Sequence, residues 1–350
     1  MPPTEHTVSG KTTFVKDLVP GRPVDDLFVV ADAKSGQAKN GPFWTLTLED
    51  ATGAVEARIW SPASQAYQDI PPGSLVRVAG MAGSYRDKPQ ISVDRLEFLP
   101  PEELAPLLPL FTASSAVPPE ELLAQLEALC RDTIRHAPWR RFCRKVLADP
   151  EVRTRLVAAP GAKSVHHAYV GGLLEHTLSV CGLVLAIGGR YPALDMDTLV
   201  PAAAFHDLGK AWELSSGFPR DYTDPGRLLG HIVLGMEILE PFFRKARDLD
   251  QGLILHFKHI MVSHHGEYEF GSPKRPKTPE AFVLHFADNI DAKLNQTLGA
   301  FADDEPEAAW SPYVRTLERY LYNPRRAPRQ SEAKPAGDKG ATQCLLPLKA

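Results

Sequence analysis

Along the first hundred residues, apolar and polar positions alternate at period two in five short runs. These are Phe28–Val30 (FVV), Phe43–Asp50 (FWTLTLED), Ala54–Trp60 (AVEARIW), Ser74–Tyr85 (SLVRVAGMAGSY) and Gln90–Phe98 (QISVDRLEF). Such alternation predicts antiparallel strands with one face on a core and the other in water. Asp50-Ala51-Thr52-Gly53 supplies a hairpin turn between the second and third runs, and SPASQAYQD between the third and fourth suits a short helix. After Pro119 the apolar spacing changes to three and four. The predicted helices are Pro119–His136, Trp139–Leu147 and Glu151–Ala158, separated at Pro138 and Pro150. They continue with Gly172–Ile187, Asp197–His206, Leu228–Lys245, Leu253–His264 and Pro279–Leu298, and a last one near Pro312–Tyr322.

The expected architecture is therefore multidomain, an all-β barrel followed by an all-α half. Residues 11–100 form the barrel, and the proline-rich stretch 101–118 is a linker. Residues 119–322 are the helical domain, and 323–350 a disordered tail with six basic against two acidic side chains. Five strands with a helix between the third and fourth describe an OB-fold, and the stretch resembles the OB-fold modules of single-strand nucleic-acid binding proteins. On such a barrel, bases stack on aromatics and phosphates run past basic side chains. Candidates are Phe43, Trp44, Trp60 and Tyr85 for stacking, with Lys39, Arg58, Arg77, Arg86 and Lys88 as cations. Neighbours on a strand point to opposite faces, so only one of Phe43 and Trp44 can lie on the binding surface.

Composition narrows the classes. With 43% hydrophobic and 23% charged residues in 350, the chain has the make-up of a soluble globular protein. A net charge of -4 argues against a global basic field, so nucleic acid would have to meet a local basic groove. Cys130, Cys143, Cys181 and Cys344 have no CxxC spacing and read as reduced thiols of a cytoplasmic protein. No apolar run reaches the length of a membrane span, and no membrane partner is expected. Gly10-Lys11-Thr12 lacks the upstream glycine of a phosphate loop. Nothing in the sequence fixes whether the chain forms a homo-oligomer.

The candidate chemistry lies in five places on the helices. His206-Asp207 ends an apolar run, with Lys210 one turn later. An imidazole beside a carboxylate is a mixed donor set for a divalent metal, and a carboxylate has two oxygens with which to bridge a second. In a chain with twelve histidines, one His-Asp dipeptide is near chance, so context decides. That context is His176 in GGLLEHTLSV, His231 in LGHI, His264-His265 in SHHGE and Asp288 in LHFADNIDAK. Burying so many imidazoles and carboxylates is costly without partners, whereas a pair of cations satisfies all of them.

The order H, HD, H, HH, D resembles the HD-domain phosphohydrolase superfamily, an all-helical fold. Longer stretches, KSVHHAYVGGLLEHTLSV, FHDLGKAWEL, GHI and MVSHHGEYEFGSPKRPKTPEAFVLHFADNIDAK, behind an OB-fold, resemble the YhaM-type 3′→5′ exoribonucleases. The resemblance implies that His176, His206, Asp207 and Asp288 hold one metal. Asp207 would bridge to a second, held by His231 with His264, His265 or both. It also implies that His166, His167 and Tyr169 line the substrate entrance, although a helix-start role serves as well. His285 reads as a support for the ligands or a substrate contact. Lys274, Arg275 and Lys277 form a basic loop, either meeting phosphate or simply solvated. Lys210, on nearly the same helical face as Asp207, is placed to meet a phosphate oxygen, with Gly209 making room; the alternative is a helix-end lysine facing solvent. Imidazole ligands favour Mn, Co, Fe, Ni or Zn over Mg, with Mn the first expectation.

Three functions are then in play. The leading one is a metal-dependent exonuclease that hydrolyses single-stranded RNA, with DNA also considered, to nucleoside monophosphates by a metal-activated water. Its 3′→5′ polarity and RNA preference come from the resemblance. The others are a phosphohydrolase of small nucleotides and a non-catalytic single-strand binder.

Overall fold

A computed structural model of the chain describes residues 11–86, 88–100, 107, 110–111, 115–161, 169–215, 221–301 and 308–324. Five strands, β1 (Pro23–Ala38), β2 (Gly41–Asp50), β3 (Gly53–Ile59), β4 (Leu75–Tyr85) and β5 (Lys88–Phe98), close into a barrel in the order β1-β2-β3-β5-β4. Every pairing is antiparallel except β3 with β5, where Glu56 faces Gln90. The crossover between β3 and β4 carries a short 3-10 helix at Ala63–Ala66, in the stretch where a short helix is expected. Alternate residues Leu46, Leu48, Val55, Ala57, Ile59, Val76, Val78, Ile91 and Val93 fill the interior. At Gly80 the register shifts, and a Cβ there would sit 2.1 Å from the Ser92 carbonyl oxygen, so only glycine lets the two strands approach.

The first strand runs far beyond the expected Phe28–Val30. Its second half, Asp32–Ala38, pairs with β2 through the backbone while none of its side chains is fully buried, so no alternation betrays it. Lys11, set aside as a phosphate-loop lysine, is wholly buried. It pairs with Asp50 at 3.1 Å and lies 3.6 Å from the centre of the Phe28 ring.

The helical half comprises α1 (Pro119–Thr133), α2 (Ala137–Leu147), α3 (Pro150–Ala158), α4 (Gly172–Gly188), α5 (Met196–Phe205), α6 (Lys210–Glu213), α7 (Asp224–Lys245), α8 (Gln251–Ser263) and α9 (Pro279–Leu298). Pro138 and Pro150 sit in the first turn of their helices and so begin them, where a missing N–H costs nothing. The core is aromatic at its centre. Trp139 stacks on Phe257 at 5.2 Å and Phe142 on Phe243 at 4.5 Å, and Phe205 meets Phe142 edge-on. Apolar from Leu199 onward, α5 runs through this core and delivers His206 and Asp207 at its C-terminal end.

The last predicted helix is absent. Around Pro312–Tyr322 there are isolated bridges, Trp310 to Tyr322 and Val314 to Arg319, about a three-residue 3-10 turn with Glu318 at φ 53°. Proline at 312 and a left-handed residue at 318 suit a tight reversal, not a helix. The described residues divide into two units, one within 1–292 and one within 293–350. Most of the 101–118 linker and residues 325–350 lie outside the description. No described helix is long and apolar enough to cross a membrane.

Candidate metal centre

Glycines at three bends of the chain help bring the predicted ligands together. At the end of α5 the chain turns into α6 at Gly209, where a Cβ would stand 1.9 Å from the His231 carbonyl oxygen. The room made by Gly209 thus admits the backbone of α7, not substrate. Gly230, at φ 74°, kinks α7 and swings His231 inward. The end of α8 presents His264 and His265, and Gly266, at φ 82°, packs its bare Cα against the His285 ring. Asp288 follows from α9.

Asp207 is the centre of the cluster and 2% exposed. Its Oδ2 lies 3.3 Å from His176 Nε2 and 3.4 Å from His206 Nε2. Its Oδ1 lies 3.2 Å from His231 Nε2 and 3.7 Å from His264 Nε2. Two donor sets result, His176, His206 and Asp288 on one side and His231, His264 and His265 on the other, each with ligand atoms within 4.8 Å of one another. One carboxylate serves both, with one oxygen apiece.

The imidazoles are oriented from behind. His206 Nδ1 donates to the Ala203 carbonyl at 2.8 Å, His264 Nδ1 to Met261 at 2.7 Å, and His265 Nδ1 to Phe270 at 2.8 Å. A carbonyl only accepts, so each Nδ1 carries the proton and each Nε2 lone pair faces the cage. His176 instead has its Nδ1 2.7 Å from the Asp291 carboxylate, which also accepts from the Ser179 hydroxyl. His231 sits against Glu213, whose Oε1 accepts the His231 backbone N–H at 3.1 Å.

Among the described residues, Asp207 Oδ1, His231 Nε2 and His264 Nε2 are buried without a hydrogen-bond partner. Each such atom costs about 1–3 kcal/mol. A divalent cation would use these inward lone pairs and carboxylate oxygens, so the donor chemistry of the residues suits divalent metal. Burial, partly offset by Asp207 and Asp288, lowers the His206 pKa to about 4, and burial with the neighbours His264 and His231 does the same to His265. Both are neutral donors across the physiological range. Burial disfavours a charged His176, yet hydrogen bonds with Asp207, Asp288 and Asp291 outweigh it and raise its pKa. Burial likewise opposes the Asp207 and Asp288 carboxylates. Lys210 and His206 around Asp207, and His176 and His206 around Asp288, prevail and hold both well below the usual carboxylate range.

Lys210 lies 2.7 Å from Asp207 Oδ2, so its ammonium is held on this central carboxylate. Tyr169 donates its hydroxyl to Glu175, the neighbour of His176, and His285 Nδ1 donates to the His264 carbonyl at 2.9 Å. His285 therefore braces the turn that carries His264 and His265. Lys274 and Lys277 are exposed, and none of the described hydrogen bonds or ion pairs joins either to the cage, while Arg275 pairs with Glu267 at 2.5 Å. His166 and His167 lie outside the described residues. Sequence reasoning missed Asp291 and Glu213. The available signal was spacing, three residues beyond Asp288 and Lys210 respectively, one helical turn on.

On the barrel, Trp44 pairs across strands with the buried Ile59 and packs against the interior. The outer position belongs to Phe43, whose ring lies over Gly36, where a Cβ would come within 2.5 Å of it. Phe43 and Trp60 stand 5.3 Å apart, with the Arg58 guanidinium 5.6 and 5.5 Å from their ring centres. Tyr85, 53% exposed, lies beside Arg86 and lines a cavity of about 390 Å³ with Lys88 and Glu56. Arg77 is tied to Asp25 at 2.7 Å.

Comparison with known proteins matches residues 173–293 to the HD domain family and residues 29–99 to a family described as OB-fold nucleic acid binding domain. The second OB-fold domain of replication protein A from Methanococcus maripaludis is 20% identical over 25% of this chain and 93% of that one, with a TM-score of 0.22. A replication protein A heterotrimer bound to ssDNA is 21% identical over 25% and 64%, with a TM-score of 0.19. Aspartyl tRNA synthetase from Entamoeba histolytica is 13% identical over 55% and 41%, with a TM-score of 0.24. The chain is thus an N-terminal OB-fold barrel followed by a helical region carrying an HD domain, the fold of a metal-dependent phosphohydrolase superfamily. A nucleic-acid binding module and a phosphohydrolase domain in one chain indicate a hydrolase acting on nucleic acid.

Proposed function

We propose that the chain is a metal-dependent 3′→5′ exoribonuclease that removes nucleoside monophosphates from single-stranded RNA, and from DNA less readily. The observation that carries this reading is the division of Asp207, one oxygen toward each of two histidine sets. His176, His206 and Asp288 would hold one cation and His231, His264 and His265 the other, each a divalent transition metal, taken here as manganese. Bound there, two cations supply the Lewis acidity that makes a water nucleophilic near neutral pH and offsets charge at the phosphate. The remaining work falls to the chain. Asp291 and the carbonyls of Ala203, Met261 and Phe270 fix the rings, so that no reorganisation accompanies reaction. Lys210, 23% exposed along its side chain, keeps a positive charge at the bridging carboxylate within reach of an incoming phosphate oxygen.

Strand capture falls to the barrel, where Phe43, Trp60 and Arg58 give stacking surface and Arg86 and Lys88 give charge. The test is digestion of end-labelled single-stranded RNA and DNA with added manganese, with and without chelator. The reading requires products that shorten from the 3′ end and vanish with chelator. Inert oligomers alongside turnover of free or cyclic nucleotides would overturn it in favour of a small-nucleotide phosphohydrolase.

A further inference from the structure

Outside the metal centre, the α1–α2 pair carries a charge pattern at odds with the rest of the chain. Between Arg131 and Lys145 there are six Arg or Lys residues and a single acidic one, in a protein of net charge -4. Four of the arginines, Arg131, Arg140, Arg141 and Arg144, line one cavity of about 430 Å³, with Cys130 and Leu147 among its apolar lining. The one carboxylate in its wall, Glu127, is already engaged by Arg153. Arg131 is paired with Asp132, and Arg141 with Asp248. Among the described contacts, the Arg140 guanidinium reaches only the Ile134 carbonyl, at 3.3 Å, and the Arg144 side chain makes no hydrogen bond or ion pair. Two guanidinium groups thus face a concave, part-apolar cavity without a counter-charge.

From this cavity we infer a second phosphate-binding site that takes one nucleotide unit. Arg140 and Arg144 grip the phosphate, and the apolar wall receives the sugar and base. A cavity of this volume suits a small ligand held by a few convergent polar groups, and a planar guanidinium matches phosphate oxygens two at a time. The unit is either a free nucleotide or one residue of a bound strand. None of the lining residues belongs to the metal cage, so the site stands whether or not the exonuclease reading does.

The test uses the full chain in chelator, which silences phosphate binding at the metal centre. Adenosine 5′-monophosphate, adenosine and a single-stranded octaribonucleotide are titrated into wild type, Arg140→Gln/Arg144→Gln and Arg140→Lys/Arg144→Lys. The site predicts a phosphate-dependent affinity that falls roughly tenfold or more in the glutamine variant and is largely kept in the lysine variant. Loss confined to the monophosphate identifies a free-nucleotide site. Loss confined to the octamer, with a salt slope smaller by about 1.4 for two contacts, identifies a backbone site. Binding of both probes that ignores the glutamine variant, or no binding of either, overturns the proposal. Both arginines are exposed, and Arg144→Gln alone breaks no described contact, so it carries the same test if the double variant melts early.

Discussion

The Asp291 carboxylate meets His176 Nδ1 at 2.7 Å, on the far side of the ring from Asp207 and Asp288. It thereby decides which nitrogen of His176 is available to a cation. Loss of such a partner behind a metal-bound imidazole weakens affinity about 10–100-fold. Asp291→Asn is expected to raise the manganese dissociation constant within that range, read by titration calorimetry. An unchanged dissociation constant would remove Asp291 from the site.

Gly209→Ala tests how the centre is assembled. A methyl group 1.9 Å from the His231 carbonyl oxygen and 2.7 Å from the Gly235 amide has no room, and both neighbours are backbone. Overpacking of this kind costs about 1–3 kcal/mol or more. The expected outcome in thermal melting is a clear drop in midpoint together with weakened metal binding.

The barrel separates stacking from packing. Phe43→Ala and Trp60→Ala should each weaken binding of a single-stranded oligomer, since a base stacked on an aromatic contributes about 1–3 kcal/mol. Trp44→Ala should leave the binding surface intact and lower the barrel's stability, because its ring packs inward. Fluorescence anisotropy and denaturant titration of the three variants distinguish the two effects. Equal loss of affinity in all three would contradict the assignment.

The pH dependence of stability has one clear origin in the barrel. Burial works against the Asp26 carboxylate, but backbone N–H donation from Leu27, Thr12 and Thr13 and the Thr12 hydroxyl outweigh it, so its pKa lies below the ordinary 3.8. A depressed folded value gives stability that is full above the unfolded pKa and is lost as pH falls through the folded one. Asp26→Asn should therefore lower stability at neutral pH and flatten the acid limb of a denaturation series below pH ~4. An acid limb as steep as in wild type would show that other carboxylates set it.

Much of this was legible in the sequence because periodicity reports burial. The helices from α1 to α9 begin and end close to where apolar spacing and proline place them, α6 excepted, since four residues hold too little pattern to see. The candidate ligands His176, His206, Asp207, His231, His264, His265 and Asp288 were readable as residue types that need partners when buried, and the structure brings them together. What the sequence hides is direction. Parity says that Phe43 and Trp44 face opposite ways but not which faces out, and closure of the barrel with Ile59 inside decides it. Gly209 reads as space, yet only the fold shows that α7 fills it. Asp291 and Glu213 look like any helical carboxylate until the imidazoles they support are in place.

The central claim is that Asp207 joins two cation sites, and counting bound metal tests it most directly. After manganese loading and desalting, elemental analysis should find two ions per wild-type chain, with an electron paramagnetic resonance spectrum broadened by coupling between neighbouring ions. Asp207→Asn should lose both the coupling and at least one ion. A wild-type chain that holds no manganese, or ions that stay uncoupled and are indifferent to Asp207→Asn, would contradict the account.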